Sequence, residues 1–309
     1  MKIGVIGAGG VGGYYGARIA AAVRADVRFL ARGPHLEAMR AHGLRVLSPL
    51  GDVHLAQPQA FDDPAQIGLC DVVLICTKLW SLEQALDAAE PMAGPQSLVI
   101  SMQNGVDGEP AVLARFGRER AAGGVVWIPA EIVEPGVVRQ NNPLTRFIVG
   151  SLDRRPDPRL AALHHAADLP EVKAELSPDV EVDIWRKFVM LACHSGMTAA
   201  LRVPIGAVLE QDRPRLEAAA AEAVAVGRAV CPRLDPDLEA KTMRAMEAMP
   251  YQMRSSMLQD LERGGRIELP WLSGAIVRLG REHRVPTPVH DALVEEVTRQ
   301  AATTGARVG

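Results

Sequence analysis

The stretch KIGVIGAGGVGGYYG (2–16) restricts what this chain can become more than any other. Ile3, Val5 and Ile6 read as a short buried strand, and Gly7-Ala8-Gly9-Gly10-Val11-Gly12 follows as a GxGxxG turn. A helix of Ala, Arg and Ile then runs to about Arg24. In such a unit the first glycine permits the tight turn, the second lets backbone approach a pyrophosphate, and the third lets the helix pack closely on the strand. The helix N-terminus presents free N–H groups and a partial positive charge to the phosphates. The pattern predicts a dinucleotide site lined by Gly7, Gly9, Gly10, Val11 and Gly12.

The identity of the dinucleotide is read at the end of the second strand. An NAD-selective site places a carboxylate there, about 20 residues after the glycines, to hold the ribose hydroxyls. In RFLARGPH (28–35) that place is occupied by Ala31-Arg32-Gly33. Arg32, aided by Arg28 or His35, suits a 2′-phosphate instead, so the expected cofactor is NADP.

Strands and helices alternate through the first half. DVRFLAR (26–32), DVVLICTK (71–78) and SLVISMQN (97–104) have the composition of strands buried on both faces. The helix between the last two, SLEQALDAAEPM, opens at Ser81 as a candidate N-cap. GLRVLSPLGDVHL and GVVRQNNPLTRFIVG read as hairpin or edge additions, and DRRPDP and LSPD as breaks. After Asp179 strand-like runs vanish, and helical periodicity continues between prolines 204, 214, 232, 236, 250, 270, 286 and 288. The expected fold is an α/β Rossmann-type domain with a mostly parallel sheet (1–178), followed by an all-helical C-terminal domain (179–309) that carries substrate and catalytic residues.

Composition narrows the function classes. A hydrophobic fraction of 48% with 23% charged residues is that of a globular protein. A net charge of −3 gives no general attraction to nucleic acid or to an anionic membrane, so an anionic ligand needs a local site. Cys70, Cys76, Cys193 and Cys231 form no CxxC pair and read as free buried thiols in a reducing cytoplasm. No apolar run reaches the ~18 residues of a membrane span, and the N-terminus lacks a signal-peptide core. His164-His165 and Cys193-His194-Ser195 are adjacent residues that face different ways on a helix, so neither a metal site nor a relay is expected of them. The apolar helical half is compatible with a homodimer, without a coiled-coil seam.

WRKFVMLACHSG (185–196) places Lys187 at the mouth of an apolar helical run. An ammonium group there either snorkels to water or is held for chemistry. Five segments bear on the choice: GAGGVGGYYG (7–16), Thr77-Lys78-Leu79-Trp80, Gln103-Asn104-Gly105, Trp185-Arg186-Lys187, and SSMLQD (255–260) followed by Glu268. With them the chain resembles the ketopantoate reductase family (2-dehydropantoate 2-reductases, of pantothenate biosynthesis) over essentially its whole length. The resemblance implies NADPH-dependent reduction of a 2-oxo acid, with Lys187 protonating the ketone oxygen as hydride reaches its carbon. It further implies that Glu268 and Asn104 act at the reacting centre and the cofactor. Lys78 is implied at both cofactor and substrate, and Ser256 at the substrate carboxylate.

The family pattern is incomplete here. Its asparagines four and eight residues after the lysine are replaced by Leu191 and Ser195, and a third aligns with Ile205. The threonine before Glu268 and the aspartate two residues after it are also missing from RIELPWLSG. Ser195 is retained as a shorter substrate-binding candidate, and the expected substrate is ketopantoate or a less polar relative. A 3-hydroxyacid-type dehydrogenase and a non-catalytic NADP-sensing protein of the same fold are the competing readings. SSMLQD and T-K-x-W oppose the first, and the joint survival of Lys187, Glu268 and Asn104 opposes the second.

Overall fold

A computed structural model describes residues 1–309, which divide into two units, Met1–Val180 and Glu181–Gly309. The strands of the first unit are β1 (Lys2–Ile6), β2 (Asp26–Leu30), β3 (Leu44–Leu47), β4 (Val53–Leu55), β5 (Gln59–Phe61), β6 (Cys70–Ile75), β7 (Ala93–Ser101), β8 (Ala121–Trp127), β9 (Ala130–Glu134), β10 (Val137–Gln140), β11 (Arg146–Ser151) and β12 (Ala174–Leu176). Its helices are α1 (Gly10–Ala21), α2 (Gly33–His42), α3 (Pro64–Ile67), α4 (Leu82–Ala89), α5 (Gly108–Phe116) and α6 (Pro158–Ala167).

Eight strands form one sheet in the order β12-β11-β8-β7-β6-β1-β2-β5, parallel except where β11 runs against β8. Val72, Val73, Leu74 and Ile75 are consecutive and all buried, as a strand covered on both faces requires. The chain builds outward from β1 through β2 to β5, then returns to β6 on the other side. The carboxyl ends of β1 and β6 therefore meet at a topological switch point, where open α/β sheets bind ligands. Register aligns that edge: Leu30, Ile6, Ile75 and Ser101 stand abreast at the ends of β2, β1, β6 and β7.

A second sheet, β4-β3-β10-β9, packs against α1. The expected hairpin in GLRVLSPLGDVHL is its β3–β4 pair. GVVRQNNPLTRFIVG is instead divided between the sheets, Val137–Gln140 joining the small one and Arg146–Ser151 the large one. The chain changes sheet at the Asn141-Asn142-Pro143 turn, where Asn142 Oδ1 accepts the Leu144 N–H at 2.9 Å. Ser81 takes the N-cap position of α4 but makes no capping bond, because a 3₁₀ turn over Leu79–Ser81 already leads the chain into the helix.

The second unit contains α7 (Val180–Leu201), α8 (Ile205–Gln211), α9 (Arg213–Val230), α10 (Leu238–Glu247), α11 (Ser256–Glu262), α12 (Ser273–His283) and α13 (Pro288–Thr304). Prolines sit where a missing N–H costs least: Pro214 and Pro288 lie in first turns, and Pro204 caps α8. One departure from an all-helical reading is a parallel ladder of β13 (Arg266–Ile267) with β14 (Arg307–Val308). Two residues are too few to leave a periodic signal. No single helix is long and apolar enough to cross a membrane.

Candidate functional site

In the first unit, the turn after β1 has the form its glycines allow. Gly7 adopts φ +94°, and a methyl group there would crowd Thr77 and Cys76. At Gly12 a methyl would come within 2.2 Å of the Gly7 carbonyl, so helix and turn are as close as glycine permits. Gly9 is different, because nothing lies within 4 Å of its methyl position. The N-terminus of α1 has no side-chain cap and no acid in its first turn. Open space beside uncapped helix N–H groups suits a pyrophosphate. Gly10 faces the carbonyl of Ala130 in β9, and the Val11 side chain packs on the hydrophobic core.

Arg32 follows β2 as the exposed N-cap residue of α2, a helix with neither a side-chain cap nor an acid in its first turn. The two suggested helpers are committed elsewhere. Arg28 bonds the Ile67 carbonyl at 3.1 Å and pairs with Asp26 at 3.0 Å. His35 is half-buried, with Nε2 2.9 Å from Ala8 O, while Gly136 N–H donates to its Nδ1 at 3.0 Å. Of the three basic residues, Arg32 is the exposed one without a side-chain ion pair.

Lys78 and Asn104 come from the same sheet edge, after β6 and β7. Lys78 is exposed, and its Nζ lies 5.6 Å from the centroid of the Trp80 ring, a cation–π distance. Asn104 is half-buried in the turn that Gly105 closes with φ +102°. Between them runs a side-chain chain that sequence reasoning missed. Ser101 Oγ donates to Gln103 Oε1, and Gln103 Nε2 donates to Thr77 Oγ1, each at 3.2 Å. It ties the end of β7 to the end of β6. Polar residues directly after strands buried on both faces were the available signal.

In the second unit, Trp185, Arg186 and Lys187 project 100° apart from α7 and do three separate things. Trp185 is buried over Gly227 of α9 and stacks edge-on with Phe188 at 5.3 Å. Arg186 pairs with Asp235 at 2.6 Å and Asp183 at 2.9 Å, which lowers the Asp235 carboxyl to about 2. Both flanking side chains fix the rotation of the helix, and with it the face that carries Lys187. On that face Lys187 and Leu191 are half-buried, and Ser195 is fully buried with its Oγ lacking any hydrogen bond. Ile205 is fully buried, with its N–H on the Met253 carbonyl at 2.9 Å.

Ser256 is exposed at the first position of α11, and the cap is its neighbour. Ser255 Oγ accepts the Leu258 N–H at 3.1 Å and contacts Thr198 Oγ1 of α7 at 2.8 Å. Because Ser255 does the capping, the Ser256 hydroxyl is not consumed by it. Glu268 is a buried carboxylate at the start of the Leu269–Trp271 turn. His194 is buried and bonded to the Met253 backbone, which desolvation accompanies with a pKa lowered to about 4; its Nε2 has no partner. All four cysteines are free, and burial raises the Cys76 thiol to about 12.

A glycine turn at a switch point and a helical unit bearing a half-buried lysine define a Rossmann-type oxidoreductase. Family models agree along most of the chain: residues 3–154 match "Ketopantoate reductase PanE/ApbA" and residues 179–301 match its C-terminal domain. This chain belongs to the ketopantoate reductase family. A 2-dehydropantoate 2-reductase of Archaeoglobus fulgidus is 34% identical, with 96% of this chain and 97% of the relative covered. An uncharacterized oxidoreductase of Bacillus subtilis, YkpB, is 32% identical over 94% of this chain and 95% of its own. Among solved structures, D-mandelate dehydrogenase with NADH and anilino(oxo)acetate shares the fold, with a TM-score of 0.87 at 21% identity over 99% of this chain and 100% of that one.

Proposed function

We propose that the protein reduces a 2-oxo acid to its 2-hydroxy acid with NADPH, and that Lys187 is the general acid. The observation that carries the cofactor reading is the open side of Gly9 beside the uncapped N-terminus of α1. Arg32, exposed at the N-cap of α2, supports the phosphorylated nucleotide. When bound, NADPH supplies the hydride. As the carbonyl carbon accepts it, negative charge grows on the oxygen, and Lys187 Nζ stabilises that charge and passes a proton to it. Glu268 and Asn104 are assigned to orienting the reacting groups, and Lys78 and Ser256 to the substrate carboxylate.

For the substrate's far end, Leu191 offers apolar surface where the family pattern has an amide. Ser195 places one buried hydroxyl, shorter than the family's amide, on the same helix face. We assign the enzyme to 2-oxo acids with an alkyl end. Each methylene buried there contributes ~0.8 kcal/mol, whereas an unpaired hydroxyl costs ~1–3 kcal/mol. Following NADPH oxidation over a panel of 2-oxo acids tests this. An alkyl substrate should do at least as well as ketopantoate in kcat/KM, and Leu191→Asn with Ser195→Asn should move preference toward ketopantoate. A tenfold advantage for ketopantoate over every alkyl acid in the unmodified enzyme would refute the altered pocket and leave the family reaction standing.

A further inference from the structure

We infer that His35 is a positioning residue for the dinucleotide, holding the Ala8–Gly9 peptide in the orientation that the phosphates require. The inference rests on the cofactor reading proposed above. His35 spans two backbone groups far apart in sequence: Ala8 O in the glycine turn, 2.9 Å from Nε2, and Gly136 N–H, 3.0 Å from Nδ1, in the turn between β9 and β10.

Together these bonds admit one state of the ring. A carbonyl only accepts, so Nε2 carries the hydrogen; an amide N–H only donates, so Nδ1 is bare. The imidazole is therefore neutral, in keeping with the burial that lowers its pKa. Protonation would set an Nδ1–H against the Gly136 N–H and break the strut.

The consequence lies in the peptide that His35 grips. No peptide bond in the chain is cis, and in a planar trans unit the Gly9 N–H points opposite to the Ala8 carbonyl. Fixing the carbonyl therefore aims an amide of the phosphate turn. The peptide is bounded by Ala8 and Gly9, and rotation about the N–Cα bond of Gly9 is resisted least, so a tether on the Ala8 carbonyl limits its reorientation. Without the tether, binding would have to select one orientation, with a loss of affinity. The brace is anchored at its far end, because the Gly136 carbonyl accepts the Arg45 N–H of β3 at 2.9 Å. A neutral ring that acts on backbone should affect NADPH and NADH alike, whereas Arg32 should affect only the phosphorylated cofactor.

The test compares full-length wild type with His35→Ala, His35→Gln and His35→Asn, using Kd for NADPH and NADH and steady-state kinetics. The glutamine amide N–H reaches about where Nε2 sits, and the asparagine carbonyl about where Nδ1 sits. His35→Ala should weaken both nucleotides roughly three- to tenfold, the range for one or two ordinary hydrogen bonds, with their ratio unchanged. The loss should appear in KM for the cofactor, with kcat at saturation within about twofold. His35→Gln should recover most of the affinity, and His35→Asn should not. Should His35→Ala fail to fold, the glutamine and asparagine pair still decides. Undiminished affinity in folded His35→Ala, or equal affinities in the glutamine and asparagine variants, overturns the inference alone. A wild-type protein that binds neither nucleotide overturns the cofactor reading and the inference with it.

Discussion

Arg32 is exposed at the N-cap of α2 and forms no ion pair, while Arg28 nearby spends its guanidinium on Asp26 and the Ile67 carbonyl. On the proposed NADPH reading, the charge-assisted contact to the 2′-phosphate falls to this one side chain. Arg32→Ala should weaken NADPH by ~1.5–3 kcal/mol and leave NADH nearly unchanged, measured by fluorescence titration. Equal losses for the two nucleotides would remove Arg32 from the 2′-phosphate. At this scale the sequence reveals groups that announce their chemistry, such as an arginine where an acid is usual. It hides side chains whose partners are backbone. His35 bonds groups 27 and 101 residues away, neither of which leaves a mark on residue type. Ser255 was likewise hidden beside Ser256, since either serine fits a helix start and only the geometry of α11 separates them.

The unit β1–turn–α1 shows how one run of glycines serves two purposes. Gly12 lies against the Gly7 carbonyl and is needed for packing, whereas Gly9 borders open space and is free for a ligand. Gly12→Ala should therefore destabilise the protein by ~1–3 kcal/mol, through a clash with backbone that cannot move aside. Gly9→Ala should change stability by less than ~1 kcal/mol, yet lower NADPH affinity at least tenfold, by narrowing the approach of the phosphates. Thermal melts and titrations of both variants check the contrast, and equal stability losses would contradict it. The strand–turn–helix pattern was legible because its periodicities are local. The split of GVVRQNNPLTRFIVG between two sheets was not, since partner choice is made by β8 and β3, elements distant in sequence. For α7, the apolar run was readable, but the anchoring of its rotation by Trp185 on Gly227 and Arg186 on Asp235 depends on α9 and the loop after it.

At the scale of the whole molecule, two buried histidines of the second unit give the protein an acid-sensitive stability. His194 and His290 are buried there, and desolvation lowers each pKa from 6.5 to about 4. In the unfolded chain both take a proton near pH 6.5, and in the folded chain only near pH 4. Their contribution is thus fully present above pH 6.5 and is lost as pH falls toward 4, each at up to ~1.4 kcal/mol per pH unit. Urea midpoints at pH 7.5, 5.5 and 4.5 should fall in that order, and His290→Gln should flatten the trend. A midpoint independent of pH over this range would contradict the burial of neutral imidazoles. The division into an α/β half and a helical half was legible from periodicity alone, because the pattern changes once along the chain. The two-residue β13–β14 ladder was not, because the C-terminal tail pairs with a segment about 40 residues earlier only after α12 and α13 have folded back. Lysine-assisted hydride transfer, as proposed, is tested by NADPH oxidation with an alkyl 2-oxo acid in wild type and Lys187→Ala. Wild type should turn over, and kcat in the variant should fall ~10²–10⁴-fold at nearly unchanged NADPH affinity. A Lys187→Ala enzyme with near-normal kcat would contradict it.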